Sequence, residues 1–217
     1  MNNSVGNTGR PVWAGLRALL LLTLVCGVLY PLAVTGIAQT AFHDKANGSE
    51  TEDASGRVVG SSLIGQSYTT PDGKPDLRWF QGRPQNGLGT NSVNTQYHLI
   101  LSGATNLAAD NPALTAQVRK ARAAVVADNS TATYQVRAAD VPPDAVTSSG
   151  SGLDPDISPA YADLQVHRVA QRNHLPVARV QQLVDAHEDG RTLGFIGEPT
   201  VNVLALNTAL RDLLRQG

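Results

Sequence analysis

The chain begins with small and polar residues, turns uniformly apolar from Ala18 to Ala38, and thereafter mixes short apolar groups with polar ones. The apolar run, ALLLLTLVCGVLYPLAVTGIA, carries no charge. A helix of roughly 20 such residues spans the ~30 Å hydrocarbon core of a bilayer, so the pattern predicts a transmembrane helix over 18–38. Trp13 stands before the run and Phe42 after it, near the two expected interfaces. Arg10 and Arg17 are the only charges before it, whereas Asp44, Glu50, Glu52 and Asp53 follow it against a single Lys45. The positive-inside rule then makes residues 1–17 a cytoplasmic tail and places everything after Phe42 outside. A cleaved signal peptide, cut after Ala38, is the alternative, but the run exceeds the ~7–15 residues of a signal h-region and favours a retained anchor. Thr23, Gly27, Pro31 and Thr35 recur every fourth residue and share one helix face. Small residues on such a face let another helix approach, so these four are the candidate helix-packing positions.

Beyond the run the periodicity changes. Residues 43–56 (HDKANGSETEDASG) are small and polar, and 39–56 reads as a juxtamembrane linker. Arg57 to Tyr68 holds short apolar pairs broken by Gly60 and Gly65, which suits a short strand or two. Residues 70–112, rich in Gly, Pro, Asn and Thr, read mainly as ordered loop. Asn111 and Pro112 then form an N-cap and N1 pair, after which Leu114, Val118, Ala121 and Val125 fall on one helix face. Ser158-Pro159 repeats the start signal ahead of Ala162, Val166 and Val169. Pro176 opens a third helix with Val177, Val180, Leu183 and Val184 inward, ending near Gly190. Gly194 to Val201 reads as a strand-like turn, and Asn202 as the cap of a last helix carrying Val203, Leu206, Leu210 and Leu214. The expected architecture is α+β: one N-terminal transmembrane helix, then a compact mixed helix/strand soluble domain over 57–217, extracytoplasmic by the charge asymmetry.

Composition narrows the chemistry. A net charge of −1 offers no basic field for nucleic acid, and with 5% aromatic residues no stacking platform for single strands is expected. Cys26, the one cysteine, lies inside the apolar run, which excludes an internal disulfide or a cysteine metal site. The sequence has no G-x-x-x-x-G-K-[ST] phosphate loop and no Asp-Lys-Thr-Gly segment of the kind a P-type ATPase phosphorylates. Ser148 to Gly152 fails the hydrolase nucleophile elbow, because position 149 is Ser where that motif needs Gly. His43, His98, His167, His174 and His187 show no pair at metal-ligand spacing; the last three read as surface or capping residues on predicted helices. Glu188 and Asp189 beside Arg191 read as a solvated helix end. No catalytic set and no metal site can be named.

Several segments stand in a recognisable order over nearly the whole chain: Tyr30 to Gln39 (YPLAVTGIAQ), Lys45 to Ser49 (KANGS), Gly60 to Gln66 (GSSLIGQ), Phe80-Gln81-Gly82-Arg83-Pro84, Ser102 to Leu107 (SGATNL), Val146 to Ser158 (VTSSGSGLDPDIS), Gln165 to Ala170 (QVHRVA) and Val201 to Asn207 (VNVLALN). In that order they resemble the C subunit family of the Kdp potassium-transporting P-type ATPases. Gln85 stands where that family usually has Ser, and Asn86 to Leu101 departs from its short Tyr-Asn connection. The resemblance implies a non-catalytic accessory subunit of a high-affinity, ATP-driven potassium uptake pump in the plasma (inner) membrane of a bacterium. Its implied partners are an ATP-hydrolysing P-type subunit, a potassium-channel-like subunit and the lipid bilayer, with no nucleic acid. It further implies help with assembly and with ATP use by the catalytic subunit, no cofactor bound tightly, and ATP as a ligand open to it through that subunit.

Under that role the natural nucleotide contacts are Ser149, Gly150, Ser151, Gly152 and Gln165: backbone N–H groups of a Gly-Ser loop can cradle phosphate, and a Gln amide can bond ribose. The residues themselves equally describe a structural loop, in which Gly150 and Gly152 permit a tight turn and Asp154-Pro155 continues it. The topology favours the second, because ATP is scarce outside a cell. Gly82, Arg83 and Pro84 likewise read as a turn with Arg83 capping carbonyls, or as ligand contacts. Two other classes stay open: an anchored extracytoplasmic hydrolase using Ser with Lys or His, and a free-standing ligand-binding or scaffold domain.

Overall fold

The computed structural model describes residues 5–90 and 100–216, and the chain divides into two units between Ser49 and Glu50. In the first, helix α1 (Val5–Leu24), a π-turn (Val25–Leu29) and helix α2 (Tyr30–Ala41) follow one another without a break. Within them Gly9–Ala41 is long and apolar enough to cross a membrane. The helix therefore runs past both ends of the uncharged segment 18–38, and residues 5–17, expected as a tail, are helical. Arginine is a good helix former, so Arg17 marks a change of polarity rather than an end of the helix. The π-turn has a cause in the sequence. Pro31 cannot donate to the carbonyl of Gly27 and its ring would crowd it, and a turn closed by the Tyr30 N–H on the Val25 carbonyl makes the room. Helix α3 (His43–Ala46) ends the unit, with the Asn47 amide donating to the His43 carbonyl at 2.8 Å.

The second unit starts seven residues earlier than expected. Strand β1 (Glu50–Glu52) pairs antiparallel with β2 (Val58–Ser61), so part of the expected linker is sheet. The polarity of the stretch between them belongs to a bonded turn. The Asp53 carboxylate accepts from the Ser55 N–H at 3.0 Å, the Ser55 hydroxyl at 2.5 Å, and the Arg57 guanidinium at 3.0 Å. A second ladder, β3 (Gly89–Thr90) with β4 (Ile100–Leu101), lies in what the sequence gives only as loop. The third sheet is β5 (Asp156–Ile157), β7 (Thr200–Asn202) and β6 (Glu188–Asp189), antiparallel with β7 central. Glu188 and Asp189 are thus an edge strand and not a helix end; exposed charges are what an unpaired edge tolerates, which hid the strand.

Among the described residues the domain has four α-helices: α4 (Pro112–Asn129), α5 (Pro159–Arg172), α6 (Val177–Asp185) and α7 (Val203–Gln216). Three begin on the expected caps. Asn111 accepts from the Ala113 N–H at 2.8 Å, Ser158 from Tyr161 at 3.2 Å, and Asn202 from Ala205 at 3.1 Å. Helix α6 stops at Asp185 rather than near Gly190, and Val177, expected inward, is exposed on its first turn. Helix α5 is central, packed on α4 and α6, and is buried on most of its circumference. Ala162, Val166 and Val169 meet Val180, Val184, Leu206 and Leu210 there, with Ile157, Val201 and Phe80 closing the core. Each fully buried side chain of this size stabilises by roughly 1.5–3 kcal/mol, which is what holds such short strands in place.

Candidate functional site

The segment Phe80-Gln81-Gly82-Arg83-Pro84 has no regular secondary structure, yet its first two residues are bonded as if they were in a sheet. Two buried side-chain amides do this. Asn207 on α7 accepts from the Phe80 N–H at 2.9 Å and donates to the Phe80 carbonyl at 2.9 Å. Gln165 on α5 accepts from the Gln81 N–H at 2.7 Å and donates to the Gln81 carbonyl at 3.0 Å. Both amides are wholly enclosed, and an unbonded backbone group there would cost about 1–3 kcal/mol, so each clamp is demanded by burial.

One turn after Gln165, Arg168 is a large, fully buried side chain, 2% exposed. Its guanidinium donates to Asn129 at 2.8 Å, to the Trp79 carbonyl at 2.9 Å, to Gln165 at 2.6 Å and to the Leu77 carbonyl. Among the described residues no carboxylate pairs with it. Burial pulls its pKa down to about 10, which still leaves it charged at neutral pH. The residues around it line a half-open cleft of about 280 Å³, among them Gln81, Arg83, Ala124, Asp128, Gln165 and Arg168. The Asp128 carboxyl is pushed up from its ordinary value of 3.8 by desolvation, against the pull of Arg168 and Arg172.

Arg83 leads from this cleft to the Ser-Gly loop. Its Nη1 pairs with Asp154 at 2.9 Å, and its Nε donates to the Thr147 carbonyl at 3.4 Å, the carbonyl-capping role expected of it. The loop is turned in on itself. The Ser151 hydroxyl accepts from the Leu153 N–H at 3.1 Å, the Ser149 hydroxyl from Asp154 at 3.4 Å, and the Ser149 carbonyl from Gly152 at 3.3 Å. The Ser151 carbonyl accepts from the Gly103 N–H at 3.0 Å and the Leu153 carbonyl from Gly65 at 2.8 Å. Gly152 has φ +67°, and a Cβ there would stand 2.7 Å from Leu88. A Cβ at Gly65 would stand 2.5 Å from the Asp154 carbonyl oxygen, which explains a glycine facing this loop.

Of the five residues singled out for nucleotide contact, Gln165 lines the cleft and Ser149, Gly150, Ser151 and Gly152 do not. They are linked through Arg83 and Asp154 but are not brought to one pocket. His167 stacks on Tyr134 with ring centroids 3.9 Å apart, and His187 Nδ1 lies 2.8 Å from the Leu183 carbonyl oxygen. His98 falls outside the described residues. Arg168, Asp128, Gln81, Asn129 and Asn207 belong to the site without being singled out by the sequence. A signal existed for Arg168, which sits between Val166 and Val169 on the inward arc of an amphipathic helix, three residues from Gln165.

In the first unit, Thr23, Gly27, Pro31 and Thr35 all lie on the exposed surface of the helix. A series spaced by four drifts by about 40° per step on a 3.6-residue turn. The wider π-turn at Val25–Leu29 rotates less per residue and offsets part of that drift. A Cβ on Gly27 would meet nothing nearer than its own neighbour Thr23, at 3.9 Å.

Residues 12–212 match the sequence model of a family described as the K+-transporting ATPase, c chain. The chain is 70% identical over 220 residues to the potassium-transporting ATPase KdpC subunit of Streptomyces avermitilis, covering 99% of each chain. It is 45% identical over 190 residues to the subunit of the same name in Caulobacter vibrioides, covering 88% of this chain and 87% of that one. With the Bacillus cereus counterpart it shares 40% identity over 200 residues, 92% and 94% of the two chains.

Proposed function

The chain belongs to the family of C chains of potassium-transporting ATPases, and we propose that it serves such a pump as a non-catalytic accessory subunit, anchored by one helix and acting through assembly with the pump's other chains. The match over residues 12–212 carries this reading. Its partners are then the ATP-hydrolysing subunit and the potassium-conducting subunit, in the plasma membrane of a bacterium. Arg10 and Arg17 before the span and the acids after it support a cytoplasmic N-terminus with the domain outside.

The interior of the domain supports a holding role. Gln165, Asn207, Arg83 and Asp154 bond to the chain's own backbone and to one another. The hydroxyls of Ser149 and Ser151 accept backbone N–H groups of their own loop, and those are the groups a phosphate would need. ATP is handled by the catalytic subunit, and Ser149 to Gly152 with Gln165 serve the fold. Calorimetric titration of the purified full chain with ATP should therefore give no saturable heat. Saturable micromolar binding of ATP by the wild-type chain would contradict this. At the level of the pump, ATP turnover should be low without this chain and recover when it is added back, while the chain alone hydrolyses nothing. Turnover by the chain alone that survives repurification and disappears on one side-chain substitution would overturn the accessory role.

A further inference from the structure

Between β6 and β7 the chain forms a short knuckle with a well-bonded base. Thr192 and Ile196 exchange backbone hydrogen bonds at 2.9 Å each, the Gly194 N–H donates to the Arg191 carbonyl at 2.9 Å, and Arg191 pairs with Glu198 at 2.5 Å. The tip carries three large apolar side chains, Leu193, Phe195 and Ile196, which are 79%, 72% and 51% exposed. Leu193 has φ +55°, a left-handed conformation that is disfavoured for a bulky residue and common at sites of function. A rigid turn that presents an aromatic and two aliphatic side chains to water marks a surface covered in the working assembly.

Charge identifies the cover. Asp185, Glu188, Asp189 and Glu198 flank the tip along the chain and are all exposed, and Arg191, the only Lys or Arg in residues 185–200, is already paired with Glu198. The segment is thus net −3 with His neutral. An anionic bilayer surface repels it, and a second copy meeting it through the same face would set three negative charges against three. A polypeptide with an apolar socket and a basic rim fits it. We propose that the Leu193–Ile196 knuckle inserts into an apolar socket, rimmed by lysine or arginine, on another subunit of the same pump. This rests on the accessory-subunit reading above.

The test is site-specific photocrosslinking in the whole pump. The full chain is produced together with the other subunits, with p-benzoylphenylalanine in place of Leu193, of Phe195, or, as control, of the exposed Arg119 on α4, and the membranes are irradiated. An adduct to another pump subunit should form from position 193 or 195 at least tenfold above the control. Adduct at the control level, or only to lipid or to a second copy, in a chain that still co-purifies with the pump overturns the knuckle proposal and leaves the subunit reading standing. Failure to co-purify at all overturns both. A Leu193→Asp/Phe195→Asp variant should lose co-purification at least tenfold with an unchanged melting temperature, and raising the salt should weaken the Glu188→Lys/Asp189→Lys variant less than the wild type.

Discussion

Gln165 and Arg168 stand three residues apart on α5 and are both buried, yet nothing in their chemistry favours the core. They are held there because their polar atoms finish bonds that the Leu77–Gln81 backbone cannot make within a sheet. Gln165→Ala would strand the Gln81 N–H and carbonyl and one guanidinium contact. It should destabilise the domain by roughly 2–4 kcal/mol. At about 2–4 °C per kcal/mol for a domain this size, a thermal melt should fall by at least 4 °C. Gln165→Glu, which keeps the acceptor and adds an ion pair to Arg168, should lose less. Two carboxylates give opposite pH signatures. The Ser55 hydroxyl first, then the backbone N–H groups of Arg57 and Ser55 and the Arg57 guanidinium, hold the Asp53 pKa far below 3.8 against the opposing desolvation. Its contribution is therefore complete above pH 3.8 and is lost as pH falls from there. Asp128 is raised, so the fold loses stability as pH climbs above 3.8. Asp128→Asn should melt higher than wild type at pH 7, and the difference should vanish below pH 4.

Among the elements, those set by local chemistry could be read from the sequence and those set by distant partners could not. Asn111-Pro112, Ser158-Pro159 and Asn202 carry their caps within three residues, and all three helix starts follow. The edge strand Glu188–Asp189 has no apolar alternation and exists only because β7 lies beside it. The burial of Arg168 depends on carbonyls some ninety residues away. Glycine and serine suit a phosphate cradle and a structural turn equally, and the loop's bonds to Gly65 and Gly103 come from too far along the chain to be read locally. Gly65→Ala should clash with the Asp154 carbonyl and cost about 1–3 kcal/mol in urea unfolding, whereas Gly150→Ala, with open space around it, should be close to neutral. In the membrane helix, Gly27→Leu should fill the small-residue face and weaken assembly, and Leu20→Ile should not. Normal recovery of partner chains with Gly27→Leu would make the stripe incidental.

For the molecule as a whole, several of the second unit's segments that carry the family resemblance are one another's partners. Phe80 to Pro84 is clamped by Asn207 and Gln165, Arg83 reaches Asp154, and Asn202 joins Asp156 at 2.9 Å. Such mutual use directs the search for action outward, to surfaces and to the membrane face. The central claim is that this chain works as part of a potassium pump. Affinity purification of the full chain from its native membranes in mild detergent, with every co-purifying protein identified, tests it most directly. A P-type ATPase subunit and a potassium-conducting subunit should come down with it in fixed ratio; recovery of the chain alone, or with unrelated envelope proteins, would contradict the account.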